Sequence, residues 1–338
     1  MPSSDERRTL SLDNSFIILK EWNPEDDSSS NSRLSITTDN GMRPRVAAEQ
    51  SKEIIDFEYV FAIGGDGTLL RLLRILFFRF EPSSLPKIVT VSMGSLGYLC
   101  NFKINDMVNV LNATVLATES EAKQKIKISY RTRLSCSIED SSASPNTSLL
   151  SKRMFIDSEG GKSIQSPICH ALNEIALTRG NAEFMCRFDI YINDVLLTIV
   201  QGDGVLISTP TGSTAYNLSC GGSIIHPTSD VVALTPICPH SLSFRPIILP
   251  KTAKITIVLP EEARTGAWVT IDGQMRFRME KNEKLVIRDS DNSVPFVTNL
   301  DKNEDTTWVK KMSQNLQWNN PIIQKPLKKY RGLQNPKL

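Results

Sequence analysis

The sequence predicts an α/β domain followed by an all-β domain. Three observations carry the prediction: buried-type strands alternate with amphipathic helices over the first third, the hydrophobic period drops to two near residue 123, and closely spaced strand pairs follow. A chain of 338 residues that is 40% hydrophobic can bury a large core. By length it makes about two domains.

Taken in order, 16–19, 59–63 and 88–92 read as buried strands, with helical patterns over 69–78 and 106–117. That alternation is the rhythm of a parallel sheet with crossover helices. The polar stretch 23–40, rich in Ser, Asp and Asn, reads as a loop. From residue 126, Ile126, Ile128 and Tyr130 alternate with Lys127, Ser129 and Arg131, so a domain boundary is placed near residue 120. This gives a Rossmann-like α/β domain over 1–120 and a β-rich domain over 121–300. Strands over 187–192 and 195–200 flank Asn193-Asp194, and strands over 268–271 and 275–278 flank Asp272-Gly273-Gln274. Such spacing predicts an antiparallel β-sandwich. The Ser-rich interval 140–166 reads as a mobile inter-strand loop, 305–318 as an amphipathic helix carrying Trp308, Met312 and Leu316, and 321–338 as a flexible tail.

A formal net charge of +2 leaves no strongly basic domain, so nucleic acid is not expected as a partner. The apolar stretch 69–80 is interrupted by Arg71, Arg74 and Arg79 and is too short for a membrane span. Six scattered cysteines, without a CxxC pair, fit reduced thiols better than a disulfide framework or a zinc site. The first fifteen residues lack an apolar secretory core, and Asp5, Glu6 and Asp13 dilute the basic character of a mitochondrial presequence. The expected compartment is the cytoplasm, with the mitochondrion as the alternative.

Two glycine-rich strings carry the chemistry: GGDGT over 64–68, and GDGVLISTPTGSTAYNLSCGG over 202–222. The first lies between a strand and a helix start. Glycines there let the main chain approach an anion, and the helix dipole favours phosphate at that point. The carboxylate of Asp66 would repel phosphate unless a cation intervenes or the acid has its own task, such as taking a proton from an attacking hydroxyl. The combination points to a phosphotransferase. The plainer alternative is that Asp66 hydrogen-bonds its own turn. No Walker element or histidine cluster announces a metal cage, so magnesium is expected to arrive with ATP, held by phosphate and water.

With Leu172-Asn173-Glu174 and the block TPICPHSLSFRP over 235–246, these strings resemble the NAD kinase family across roughly 43–297. GGDGT alone is shared with diacylglycerol, sphingosine and phosphofructo-kinases; the second string separates them. The resemblance implies transfer of the γ-phosphoryl group of ATP to the adenosine ribose 2′-hydroxyl of NAD, with Asp66 as the general base. It implies that Gly64, Gly65, Gly67 and Thr68 hold ATP phosphates. It also implies that Asn173, Glu174, Thr214, Ala215, Tyr216 and Ser219 line the dinucleotide site. Asp203 matches an acid that reaches the nicotinamide half across a subunit boundary, so a homo-oligomer is implied, with the helix over 301–320 packing back on the first domain. An NADH-preferring kinase of the same fold and a non-catalytic dinucleotide-binding protein remain as alternatives.

Plainer roles stand beside these. Tyr216 suits core packing, Asp203 a turn cap between glycines, and Arg179 a surface position as readily as a phosphate contact. His226 and His240 each adjoin a proline, which favours turn hydrogen bonding, and with His170 they are too few for a metal site. No GxGxxG follows a strand and opens a helix, which disfavours a nicotinamide dehydrogenase.

Overall fold

A computed structural model describes residues 16–19, 35–37, 58–79, 85–94, 97–116, 127–140, 154–157, 162–164, 168–298 and 304–318. The first strands are β1 (Phe16–Leu19), β2 (Ser35–Thr37), β3 (Tyr59–Ile63), β4 (Lys87–Ser92), β5 (Phe102–Lys103) and β6 (Lys127–Arg131). Then come β7 (Leu134–Asp140), β8 (Met154–Asp157), β9 (Lys162–Ile164), β10 (Cys169–Ala171), β11 (Glu174–Thr178), β12 (Cys186–Ile192) and β13 (Val195–Ser208). The last are β14 (Val231–Pro239), β15 (Ile247–Pro250), β16 (Ile255–Val258), β17 (Ala267–Ile271), β18 (Met275–Met279), β19 (Glu283–Asp289) and β20 (Val294–Thr298).

Seven of these strands form one sheet in the order β2-β1-β3-β4-β20-β6, with β5 beside β4. Every residue of β3 is buried, which marks it as a central strand covered on both faces. Its alternate side chains feed two cores: Val60 and Ala62 pack with Leu69, Leu72, Leu73 and Leu76, while Tyr59, Phe61 and Ile63 pack with Val89, Val91 and Phe102. Those four leucines stand at i, i+3, i+4 and i+7 of helix α1 (Asp66–Arg79), so one face of the helix meets the sheet. Burying each such side chain stabilises by about 1.5–3 kcal/mol.

The expectation of a parallel sheet needs correction. β3, β4, β5 and β20 run parallel, but β1 is antiparallel to both β2 and β3, and β6 is antiparallel to β20. The period-two segment after residue 123 does form a strand, yet β6 belongs to this first sheet, joined through β20 from the far end of the chain. Within 23–40, Ser35–Thr37 is a strand rather than loop, and the rest of that stretch lies outside the described residues. The helix foreseen over 106–117 is broken into a 3-10 turn, a short α-helix (Met107–Leu111) and a π turn. There the Thr114 hydroxyl donates to Val110 O at 2.7 Å, a side-chain bond that competes with the regular ladder.

The other thirteen strands form an antiparallel sheet ordered β10-β7-β19-β16-β12-β13-β11-β17-β18-β8-β9, with β14 pairing β13 and β15. Hydrogen bonding thus joins into one sheet what the strand spacing suggested as two. Most of its apolar side chains, from Leu134 to Ile287, gather in one core that includes Phe155 edge-on against Phe277, while Ala176, Leu206 and Ile237 form a small second cluster with Cys220. Asn193 and Asp194 both take positive φ, 49° and 66°, the left-handed pair that a two-residue hairpin requires. The Ser-rich interval holds a hairpin, β8 against β9, where a loop was expected; its other residues lie outside the described set, as does the tail 321–338. The segment from residue 302 is a separate unit described over 304–318, with a helix at Glu304–Leu316. Among the described residues no helix is long and apolar enough to cross a membrane.

Candidate active site

The GGDGT turn closes β3 and opens α1. Gly64 N–H donates to Val91 O at 2.8 Å, and a Cβ on Gly64 would lie 2.4 Å from Thr68 Oγ1, so the turn closes only around glycine. Gly65 O accepts from Thr68 N–H (3.1 Å) and Leu69 N–H (3.3 Å), which makes Asp66 the first helical residue. Helix-start N–H groups have no partner within the helix. A Cβ on Gly65 or Gly67 would meet nothing within 4 Å, so the turn is open on that side.

The Asp66 side chain turns the other way. Its Oδ2 accepts from Tyr98 N–H at 2.9 Å and its Oδ1 from Leu99 N–H at 3.2 Å, with Cys100 Sγ 3.7 Å away. A Cβ on Gly97 would stand 2.2 Å from Asp66 Oδ1, so this loop approaches the acid only as glycine. The alternative of a bond within its own turn is therefore replaced by a bridge to the loop after β4. Asp66 stays partly exposed, and two N–H donors leave room for another partner on its oxygens. Burial raises the Tyr98 phenol above its ordinary value, and the nearby Asp66 charge adds to that.

The second group gathers where β10 passes into β11. Leu172 is fully buried in the α1 core, which ties the Asn173-Glu174 segment to the helix that starts at Asp66. Asp272, at φ 48° in the β17–β18 turn, clamps this segment: Oδ2 accepts from Leu172 N–H (2.8 Å), and Oδ1 from Asn173 N–H (2.7 Å) and Glu174 N–H (3.1 Å). The long glycine-rich string locks on from the other side. Thr209 donates its hydroxyl to Leu172 O at 2.6 Å, and its N–H to Asn173 O at 2.9 Å. A Cβ on Gly212 would be 2.1 Å from Asn173 O.

Within the string, Asn217 is the hub. Its amide donates to Ser213 O (3.2 Å) and Ser223 O (3.0 Å), and its Oδ1 accepts the Thr235 hydroxyl at 2.6 Å. These bonds present Thr214, with its hydroxyl 3.4 Å from Thr211 O, then Ala215 and the short helix Tyr216–Ser219, on which Tyr216 and Ser219 are exposed. Tyr216 is thus a surface residue and not core packing. Three buried oxygens lack partners in this corner: Asn173 Oδ1, Glu174 Oε2 and Thr211 Oγ1.

Electrostatics separate the two acids there. Burial, reinforced by the Asp272 charge and opposed by the Tyr216 N–H, pushes Glu174 up to about 8. Asp272 reaches only about 6, since its three backbone donors oppose the effect of burial.

Asp203 lies inside β13, not in a turn. Gly204 and Gly202 flank it because a Cβ would strike Leu177 O at 2.1 Å and Cys238 O at 2.9 Å, where β11 and β14 close on β13. Arg179 donates to Asp203 Oδ1 at 2.7 Å and to Ala182 O, so it is occupied by that acid. His226 accepts from Thr228 N–H at 3.4 Å through Nδ1, as turn bonding predicts. His170 sits against Phe77, pushed down to about 4 by burial and by Arg133. The motifs thus assemble into two groups linked through Leu172. Sequence reasoning missed Gly97, Asn217 and Asp272 as site-building residues; the second and third lay inside segments it had marked.

The description "ATP-NAD kinase N-terminal domain" matches residues 12–118 and "ATP-NAD kinase C-terminal domain" matches 172–299. An ATP-NADH kinase of Saccharomyces cerevisiae is 36% identical over 278 residues, covering 80% of this chain and 50% of the relative. A chloroplastic NAD kinase of Arabidopsis thaliana is 34% identical over 270 residues, covering 80% of this chain and 25% of the relative. The chain therefore spans a quarter to a half of the length of these relatives. A crystal structure of yeast NADH kinase complexed with NADH superposes with a TM-score of 0.63 at 28% identity, covering 79% of this chain and 68% of that one. Two domain matches in their proper order, over most of the described fold, place this chain in the ATP-NAD kinase family.

Proposed function

We propose that this protein moves the γ-phosphoryl group of ATP to the adenosine ribose 2′-hydroxyl of NAD or NADH. The observation that carries the reading is the position of Asp66: it starts α1 beside two open glycines, and its carboxylate is steered by Tyr98 and Leu99 with lone pairs to spare. A ribose hydroxyl is a weak nucleophile, so its proton must leave as the bond to phosphorus forms. Asp66 accepts that proton. Gly65 and Gly67 turn open backbone toward the phosphates, Gly64 and Thr68, whose N–H groups bond Val91 O and Gly65 O, hold the shape of the turn, and the positive end of α1 offsets the phosphate charge. Magnesium enters as part of MgATP, held by phosphate oxygens and water, and neutralises charge on the transferring group.

In this reading Asn173 and Glu174 take the adenosine ribose, and Thr214, Ala215, Tyr216 and Ser219 line the adenosine. The first sheet serves as a Rossmann-like phosphate domain. Asp203 reaches the nicotinamide half in a neighbouring copy within a homo-oligomer. Relatives with both NAD and NADH in their names support both substrates. Incubating the purified chain with MgATP and each dinucleotide, then measuring NADP and NADPH, tests the activity and gives the substrate ratio. Binding of both dinucleotides without product would overturn the kinase reading in favour of a binding protein.

A further inference from the structure

Glu174 and Asp272 put two carboxyl groups in one buried corner, and the backbone decides between them. Asp272 receives three N–H donors on its two oxygens. Glu174 receives only the Tyr216 N–H, its Oε2 has no partner, and no ion pair reaches it among the described residues. Two adjacent negative charges away from water are unfavourable, so the proton settles on the less supported acid. Glu174, pushed up to about 8, is that acid at neutral pH.

We propose that Glu174 binds the dinucleotide as an uncharged acid that donates a hydrogen bond to a ribose hydroxyl, and that Asp272 is the positioning residue that orients Asn173-Glu174 and keeps the proton there. The proposal rests on the reading that this corner takes the adenosine ribose. Each hydroxyl of a ribose both donates and accepts. An ionised Glu174 would offer acceptors alone, and Asn173 Oδ1, one residue earlier in the chain, is another unpartnered acceptor. The neutral acid adds a donor beside these acceptors, and Asn173 Oδ1 and Thr211 Oγ1 remain for the hydroxyl protons.

The titratable groups facing Glu174 are Asp272 from the β17–β18 turn and Cys220 after the short helix, and Tyr216 reaches it through its backbone N–H. Burial raises both the Cys220 thiol and the Tyr216 phenol, so neither adds a charge below about pH 9. Affinity for NAD is therefore expected to fall as Glu174 ionises.

Calorimetric titration of the full chain with NAD between about pH 6.5 and 9.5, where NAD itself does not ionise, reads this out. The wild-type Kd is expected to rise about tenfold from pH 7 to pH 9, as loss of one proton dictates. Glu174→Gln, which cannot ionise, loses that rise, and Asp272→Asn moves it to lower pH. A flat wild-type profile, or an unchanged rise in Glu174→Gln, would overturn the proposal. Should Asp272→Asn fail to fold, the wild type and Glu174→Gln decide alone. NADP formation on the same samples separates the two readings: turnover with a flat binding profile sinks this proposal only, and the pH law without turnover sinks only the kinase assignment.

Discussion

Asp66 and Glu174 are the same functional group set beside backbone N–H donors, and the chain treats them in opposite ways. Asp66 begins a helix, takes two N–H groups from the loop after β4 and keeps part of its surface in solvent. Glu174 begins a strand, takes one N–H, and is only 7% exposed beside a second acid that takes three. Supported and partly open to solvent, Asp66 keeps lone pairs free for an incoming proton; unsupported and dry, Glu174 keeps its own proton and can serve as a donor. Environment, more than residue type, assigns the chemistry.

The strongest way to break this contrast is Asp272→Ala. It strands three buried N–H groups, each costing about 1–3 kcal/mol, so thermal unfolding is expected to drop by a margin well beyond that of a surface change. An unchanged melting temperature would mean that the clamp does not hold the segment. Next comes Gly97→Ala, whose Cβ would displace Asp66 Oδ1. Turnover is expected to fall about tenfold to a hundredfold with stability changed far less, because a misplaced base costs rate rather than fold.

Glu174→Gln sharpens the comparison through pH. The folded value near 8 exceeds the unfolded value of about 4.3, so the wild type gives up stability as pH rises between them. The melting temperature of Glu174→Gln relative to wild type is expected to climb from about pH 4 to pH 8 and then level off. A difference independent of pH would remove the raised Glu174 from the account. The smallest effect belongs to Arg179→Ala, which breaks a pair exposed by 35% and 40%; stability is expected to change by less than about 1 kcal/mol.

What was legible in the sequence was local. The GGDGT turn, the Asn193-Asp194 hairpin and the leucine face of α1 each depend on neighbours within a few residues, so spacing reveals them. Asp272 could be read only as a turn residue because its partners lie about 100 positions upstream. Gly97 was silent for the same reason: what excludes a side chain there is Asp66, from the start of α1 about 30 positions upstream. The membership of β6 in the first sheet depends on β20, far along the chain, and no hydrophobic period reports pairing at that range. Asn217 sat in plain view within the second string, but its three side-chain hydrogen bonds show only when Ser213, Ser223 and Thr235 come together around it, with Gly222 packed close by.

The central claim is that Asp66 acts as a base and not as a structural bridge alone. The most direct test measures NADP or NADPH formation from MgATP and dinucleotide by wild type and Asp66→Asn, with dinucleotide affinity measured alongside. The variant keeps side-chain shape and an oxygen for one loop N–H, so the account predicts a loss of turnover of about 10²–10⁴-fold with affinity within a few-fold. Turnover within a few-fold of wild type would contradict it and leave Asp66 as a strut between the helix start and the loop after β4.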